Sequence, residues 1–366
     1  MRPETDLRSG GKERDSGFEL LRIIWMLLII GYHYYYHGGG PGPQLWVNLF
    51  RDSGVFTNGF PAVAGFFLLT GWHLSAARFQ WRKVLRMLGT LVFCSWLGLL
   101  IAALFDPGEM TTLQVVVSLL PISSPRSWFA GAYIAAYCFL PFIQKGCAWL
   151  RGCRGREYDF FVGLGFLFFV IFKFLSPMHG LPSEFIWAVY LFCLGDWLKL
   201  RFGERLPSVR LCLLGYLGTM LFQFGWTRLF GVLAEKSELA ALYADHIVAR
   251  YSPTVVLGAI FMIFLFAQVH FSSRLVNRIA ACNFGVYLLH DNGILHHLWW
   301  FKILKTDYYS TLLSRYQILH FLFSVVFVYG VCVLFDLLRQ ATAERLWMKL
   351  ADRFLARFSA YEHTDL

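Results

Sequence analysis

The stretch FELLRIIWMLLIIGYHYYYH, Phe18 to His37, has the length and apolar character of one membrane-spanning helix. It carries an arginine near its start, Arg22, and a histidine near its end, His33. An ionisable side chain within a bilayer costs about 3 kcal/mol even on lenient insertion scales, so chance rarely places one there. On a helix these two residues lie about 20° apart around the axis and about 16 Å apart along it. We therefore expect both to line one cavity at two depths.

The composition is that of a membrane protein. Of the 366 residues, 57% are hydrophobic, 18% are aromatic and only 15% are charged, whereas soluble domains carry roughly 25% charged residues. The net charge of +10 would suggest nucleic acid as a partner of a soluble protein. Here the basic residues lie in short segments between apolar runs, without a solvated basic stripe. We exclude a soluble enzyme and a nucleic-acid-binding protein.

The apolar runs predict an all-α polytopic membrane protein with about ten transmembrane helices. The predicted spans are 18–36, 56–74, 86–105, 127–144, 158–175, 184–199, 208–230, 253–271, 282–300 and 316–338. The second, sixth and ninth spans are short or contain Gly, Pro or polar residues, so each is a candidate for a tilted, broken or re-entrant segment. Lys and Arg concentrate in alternate connections, which predicts that both termini are cytoplasmic.

This topology divides the chain into three parts. They are a cytoplasmic N-terminal segment (1–17), a transmembrane domain (18–338) and a cytoplasmic amphipathic tail (339–366). In the tail, basic residues recur every four positions from Arg345 to Arg357 beside a row of apolar residues. That pattern suits a helix on an anionic inner leaflet, and equally a solvated helix end.

Metal binding has weak support in the sequence. His37 follows His33 by four residues and would share its helix face, as two metal ligands do, but no third ligand has convincing spacing. The eight cysteines lie mostly in apolar spans, and the loop pair Cys147 and Cys153 lacks the short spacing of zinc sites. We expect free thiols and no metal.

A basic cluster precedes the third span. Arg78, Arg82, Lys83 and Arg86 follow the segment GFFLLTGW. The preference of cytoplasmic loops for positive charge explains such residues without any function. Alternatively, Lys83 and Arg86, three apart on one helix face, would form a cradle for a phosphate-bearing cytoplasmic substrate.

Two later segments also place polar or aromatic residues at membrane depth. Ser124 and Trp128 flank the entry to the fourth span, with Tyr133 and Tyr137 further in; these are interfacial anchors, or they stack on a sugar and bind its hydroxyls. His290 and Asp291 interrupt the ninth span, so they are expected to face protein or water. Because neighbours on a helix point about 100° apart, each would pair with a group on another span.

Together these elements resemble the acyltransferase-3 family of integral membrane O-acyltransferases. The resemblance lies in Arg22 followed after ten residues by His33; GFFLLTG leading to the basic stretch; Ser124 with Trp128 and Phe129; and FGVYLLHDN near the end. Members of this family modify surface polysaccharides, peptidoglycan or lipid-linked sugars. The resemblance covers nearly the whole chain and implies a multi-pass protein of a bacterial cytoplasmic (inner) membrane.

The resemblance implies transfer of an acyl group, acetyl or succinyl, from cytoplasmic acyl-CoA to a hydroxyl of an extracytoplasmic or lipid-linked glycan. It makes Arg22 and His33 essential. Where the family usually has two arginines three apart, this chain has Lys83 and Arg86. Lysine lacks the bidentate fork of arginine, so Arg82 is a candidate to replace it. A hydrolase-like extracytoplasmic domain, present in some members, is missing here, and direct transfer to the acceptor is expected.

The expected mechanism assigns a role to each group. Arg22, Lys83 and Arg86 bind the phosphates of acyl-CoA, and His33 is the general base or a transient acyl carrier. Trp128, Tyr133 and Tyr137 hold the acceptor, which His290 and Asp291 orient. Two other classes remain open: a non-catalytic transporter or flippase of a lipid-linked glycan, and a receptor-like or structural membrane protein.

Overall fold

The computed structural model describes residues 15–40, 45–121, 128–153, 156–176, 183–244 and 246–362. Within these residues the chain is helical and forms no β-strand. The α-helices are α1 (Gly17–His37), α2 (Leu45–Asp52), α3 (Phe60–Trp72), α4 (Trp81–Phe105), α5 (Thr112–Leu119), α6 (Trp128–Cys138), α7 (Leu140–Gly152), α8 (Glu157–Phe166), α9 (Lys173–Leu175), α10 (Glu184–Phe202), α11 (Val209–Ala234), α12 (Glu238–Ala244), α13 (Pro253–Phe266), α14 (Arg274–Ala280), α15 (Asn283–His290), α16 (Thr306–Tyr309), α17 (Ser314–Ala341) and α18 (Ala343–Glu362). A π-helical turn, Leu167–Phe172, joins α8 to α9, and another, Leu298–Ile303, follows α15.

Each of the ten predicted spans overlaps a helix. By length and apolar character, five stretches are able to cross a membrane: Gly17–His37, Trp81–Phe105, Glu157–Leu175, Glu238–Phe266 and Ser314–Ala341. The ninth predicted span is broken, since α15 ends at His290 and the helix resumes near residue 298. The fourth span is interrupted at Phe139, just before Pro141, whose ring cannot continue a regular helical hydrogen-bond ladder.

The outward surface of the long helices is apolar. Leu214 and Leu221 of α11 and Val326 and Leu334 of α17 are between 63% and 69% exposed. Soluble monomers rarely expose large contiguous apolar areas, whereas lipid tails solvate them. The fold is therefore that of a multi-pass membrane protein.

Helix α1 lies in the interior of the bundle. It packs against α3, α13, α15 and α17, and Leu21, Trp25 and Ile30 are completely buried. The Trp25 indole N–H donates to the sulfur of Met262 at 3.2 Å. Because α1 is enclosed by other helices, Arg22 and His33 face protein cavities, with side chains 30% and 12% exposed.

Helices α3 and α10 approach each other through glycines. A Cβ atom on Gly195 would lie 2.1 Å from the Leu68 carbonyl oxygen, and one on Gly71 would lie 2.2 Å from the Phe192 carbonyl oxygen. Both distances are far below van der Waals contact. The helices therefore touch backbone to backbone, which holds α3 in place beside α1.

Gly195→Ala should lower the free energy of unfolding by about 1–3 kcal/mol, because the helices must separate to admit the methyl group. Thermal unfolding of the purified protein in detergent measures this change. Gly163→Ala is the matched control, since nothing lies within 4 Å of its added Cβ, and alanine favours a helix over glycine. Equal melting temperatures for the two variants would contradict the close packing of α3 and α10.

The predicted amphipathic tail forms α18, which packs along α4. The Trp347 indole N–H donates to the Leu85 carbonyl at 2.8 Å, and the Arg82 guanidinium lies 2.9 Å from Asp352. The start of this helix brings Glu344 to the basic cluster of α4.

Candidate active site

Two chambers lie on either side of one wall beside α1. The His33 chamber has a volume of about 1410 Å³, and the Arg22 chamber has a volume of about 1400 Å³. Four residues line both: Ile29, Val63, Phe129 and Tyr287. We call these four side chains the junction. Arg22 and His33 thus face two halves of one path along α1, as the spacing of the two residues predicted.

The Arg22 chamber is rich in cations. Arg22, Lys83, Arg86 and Arg339 line it, together with a single lining carboxylate, Glu344. Glu344 pairs with Arg86 at 3.0 Å and with Arg339 at 2.7 Å. The chamber therefore suits an anion, and guanidinium groups are well matched to phosphate oxygens.

The individual cations differ in their surroundings. Arg22 pairs with Glu19 at 2.7 Å, and the Lys83 ammonium lies 4.4 Å from the centre of the Tyr137 ring. Arg82 does not line the chamber; it is about half exposed and pairs with Asp352. Arg339 lines the chamber in its stead, which sequence reasoning missed because Arg339 begins the predicted tail.

In the His33 chamber, hydrogen bonds fix the tautomer of the histidine. His290 Nδ1 lies 2.8 Å from the Val286 carbonyl oxygen, and His290 Nε2 lies 2.9 Å from His33 Nδ1. A carbonyl only accepts, so His290 Nδ1 is the donor, and the Nε2 atom of the neutral ring accepts from His33 Nδ1. In neutral His33, Nε2 therefore carries a lone pair, which can take a proton or bind a cation.

One carboxylate lies among three imidazoles. Asp291 Oδ1 is 3.7 Å from His33 Nε2, 3.4 Å from His37 Nε2 and 3.4 Å from His296 Nε2. The donor atoms of His33, His37 and Asp291 all lie within 4.8 Å of one another, which is close enough to hold a metal ion. The sequence indicated His37 as half of such a site, and the fold adds Asp291 and His296.

Trp128 lies in the wall of the His33 chamber. The Arg250 guanidinium stacks on it, 4.2 Å from a ring centre, and also pairs with Glu184. Arg250 was counted only as a loop charge in the sequence. An aromatic ring with a fixed guanidinium beside it provides a stacking surface and hydrogen-bond donors for a sugar.

The other predicted acceptor-binding residues lie elsewhere. Tyr133 lines the Arg22 chamber, and Tyr137 is buried, where its hydroxyl lies 3.3 Å from the Arg78 carbonyl oxygen. His290 is completely buried and contacts His33, so it does not form part of either chamber wall. Ser124 lies outside the described residues.

Comparison with known proteins places the chain in a family. The profile of an acyltransferase domain family, acyltransferase-3, matches residues 15–337. No curated protein and no solved structure gives a significant match. The matched range runs from the start of α1 almost to the end of α17 and so includes both chambers. The chain therefore belongs to the acyltransferase-3 family and is a multi-pass membrane acyltransferase.

Proposed function

We propose that this enzyme transfers an acetyl or succinyl group from cytoplasmic acyl-CoA to a hydroxyl of an extracytoplasmic or lipid-linked glycan. One observation carries the proposal: a cationic chamber and a histidine chamber share the wall formed by the junction. A donor held by its phosphates on one side would place its thioester near a base on the other. Family membership supports the acyl transfer, and the two chambers support the donor and acceptor classes.

The donor binds in the Arg22 chamber. Arg22, Lys83 and Arg86, joined by Arg339, contact the phosphates of acyl-CoA. The extended pantetheine arm runs along α1 toward the junction. Since Arg22 and His33 are about 16 Å apart along the helix axis, an extended arm of this kind is needed to connect the two sites.

The reaction takes place at His33. Its Nε2 lone pair accepts the proton of the acceptor hydroxyl, and the oxygen attacks the thioester carbonyl carbon. The carbon–sulfur bond breaks, CoA leaves as a thiolate, and the proton on His33 returns to that sulfur. His290 keeps His33 in the required tautomer, while Trp128 and Asp291 form part of the acceptor wall. A transient acyl group on His33 is the alternative route.

The membrane orientation follows from the charge distribution. Ten spans with both termini cytoplasmic would put the Arg22 chamber at the cytoplasmic side and the His33 chamber at the outer side. This orientation agrees with acyl-CoA as a cytoplasmic donor and with an acceptor outside a bacterial cytoplasmic membrane.

Proteoliposomes test the function. Purified protein is reconstituted with radiolabelled acetyl-CoA or succinyl-CoA in the lumen, and a glycan and glycolipid extract from the producing cells is supplied outside. We expect label on an external glycan from protein molecules whose cytoplasmic face is luminal, and mass spectrometry of the product names the acyl group. Glycolipid movement without acyl-CoA consumption would favour the transporter class instead.

Arg22→Ala should weaken donor binding by about tenfold or more, because a hydrogen bond to a charged group contributes about 1.5–3 kcal/mol. Titration of the detergent-solubilised protein with acetyl-CoA measures the affinity. Arg205→Ala is the matched control, since Arg205 is exposed and lines neither chamber. Equal donor affinity in wild type and Arg22→Ala would remove Arg22 from the donor site.

A further inference from the structure

The cluster around Asp291 has the spacing of metal ligands. The distances of 3.4 Å from Asp291 Oδ1 to His37 Nε2 and to His296 Nε2 exceed the 2.7–3.2 Å of ordinary N–H···O hydrogen bonds. In a tetrahedral zinc site with bonds of about 2.0–2.1 Å, neighbouring ligand atoms lie about 3.3–3.4 Å apart. The observed separations match the edges of that tetrahedron.

The break in the ninth predicted span explains how two of these groups meet. On a regular helix, Asp291 and His296 would point about 140° apart, because they are five residues apart at 100° each. Here α15 ends at His290, and the chain turns at residues 291–296 before the π-helical turn begins. The turn brings both donor atoms to the end of α1, where His37 lies.

We propose that His37, Asp291 and His296 bind one divalent transition-metal ion of the zinc class. Two imidazoles and a carboxylate form a known catalytic ligand set for zinc and leave a coordination position open. All three residues line the His33 chamber, so the open position faces its cavity. The rings of His37 and His296 lie 3.7 Å apart, so little movement is needed to bring both to one ion.

The role of the ion rests on the proposed acyl transfer, although metal binding itself does not. A hydroxyl bound at the open position loses its proton more readily, because the cation stabilises the alkoxide. His33 Nε2 lies 3.7 Å from Asp291 Oδ1, beside the ion, and accepts that proton. The site thus selects an acceptor whose hydroxyl can reach the end of α1 from the chamber.

Metal binding by the purified full chain tests the proposal. The detergent-solubilised protein is treated with a chelator, reloaded with zinc or cobalt and desalted, and bound metal is measured by elemental analysis. We expect one equivalent per chain and the visible absorption of four- or five-coordinate cobalt. His37→Ala and His296→Ala should each lower the affinity for cobalt by more than about 100-fold, since even outer-shell changes cost 10- to 100-fold.

Three further variants keep the test informative. His297→Ala is the matched control and should retain the metal, because the neighbouring imidazole of His297 pairs with Asp106 at 2.7 Å. His33→Ala should also retain it. His37→Cys replaces one ligand by another, so it should bind cobalt and add a thiolate-to-cobalt band in the near ultraviolet.

Several outcomes would overturn the proposal. These are less than a tenth of an equivalent of metal in the wild type, equal loading of all variants, and loss of metal from His33→Ala but not from His296→Ala. Acyl transfer by chelated, metal-free proteoliposomes at the full rate would remove the catalytic role while leaving the proposed function in place. Bound metal without acyl transfer would do the reverse.

Discussion

His33→Ala should lower the rate of acyl transfer by about 100- to 10,000-fold, the usual contribution of a positioned general base. The lone pair on His33 Nε2 is the reason, because the bond from Nδ1 to His290 leaves that atom to face the His33 chamber. Transfer in proteoliposomes measures the rate, and a separate acetyl-CoA titration measures donor affinity. Donor affinity should be unchanged, since the donor phosphates bind in the other chamber.

His290→Gln and His246→Ala are the companion variants for this test. His290 contacts His33 without lining a chamber, so its loss should lower kcat with little change in KM and shift the pH profile of transfer. His246 lies in neither chamber, and its replacement should have no effect. Transfer at the wild-type rate by His33→Ala would exclude His33 as both base and acyl carrier.

The sequence predicted the α1 half of the site well for a simple reason. Arg22 and His33 lie on one helix, so their spacing alone fixes their relative direction and depth. The same arithmetic separates the aromatic residues of α6: Trp128 and Tyr133 are five apart and point about 140° from each other. Tyr133 therefore lines the Arg22 chamber and Trp128 the His33 chamber, a division that the helix period would have indicated.

Contacts between distant parts of the chain could not be predicted in this way. His33 meets His290 across 257 positions, and Glu344 reaches Arg86 from a helix beyond the last predicted span. Spacing on one helix is silent about which face another helix presents. The third donor near His33 and His37 was missed for the same reason, since Asp291 reaches them only through the turn after α15.

The fold as a whole was more accessible. Apolar runs of spanning length define helices by themselves, because an unpaired backbone is too costly in lipid for other local structures. The interruptions were harder to place. A polar Asp-Asn-Gly sequence follows His290 and ends α15, whereas the break before Pro141 divides a span that the sequence predicted to be continuous.

Val63→Trp should lower transfer from a luminal donor by about 100-fold or more. Val63 belongs to the junction, where Phe129 and Tyr287 are already packed edge to face with ring centres 5.2 Å apart. An indole there would fill space that the thioester must enter, and a displacement of about 1 Å from the reactive position can itself cost about 100-fold. The proteoliposome assay measures the loss, and thermal unfolding verifies that the variant is folded.

The affinity for donor separates this effect from a general loss of structure. Acetyl-CoA should still bind Val63→Trp within a fewfold of wild type, because Arg22, Lys83 and Arg86 lie away from the junction in the cationic part of the chamber. Val326→Trp is the matched control, since Val326 is 65% exposed on the outer surface of α17. Undiminished transfer by a folded Val63→Trp protein would mean that the acyl group reaches His33 by a path that avoids the junction, and the two-chamber mechanism would then fail.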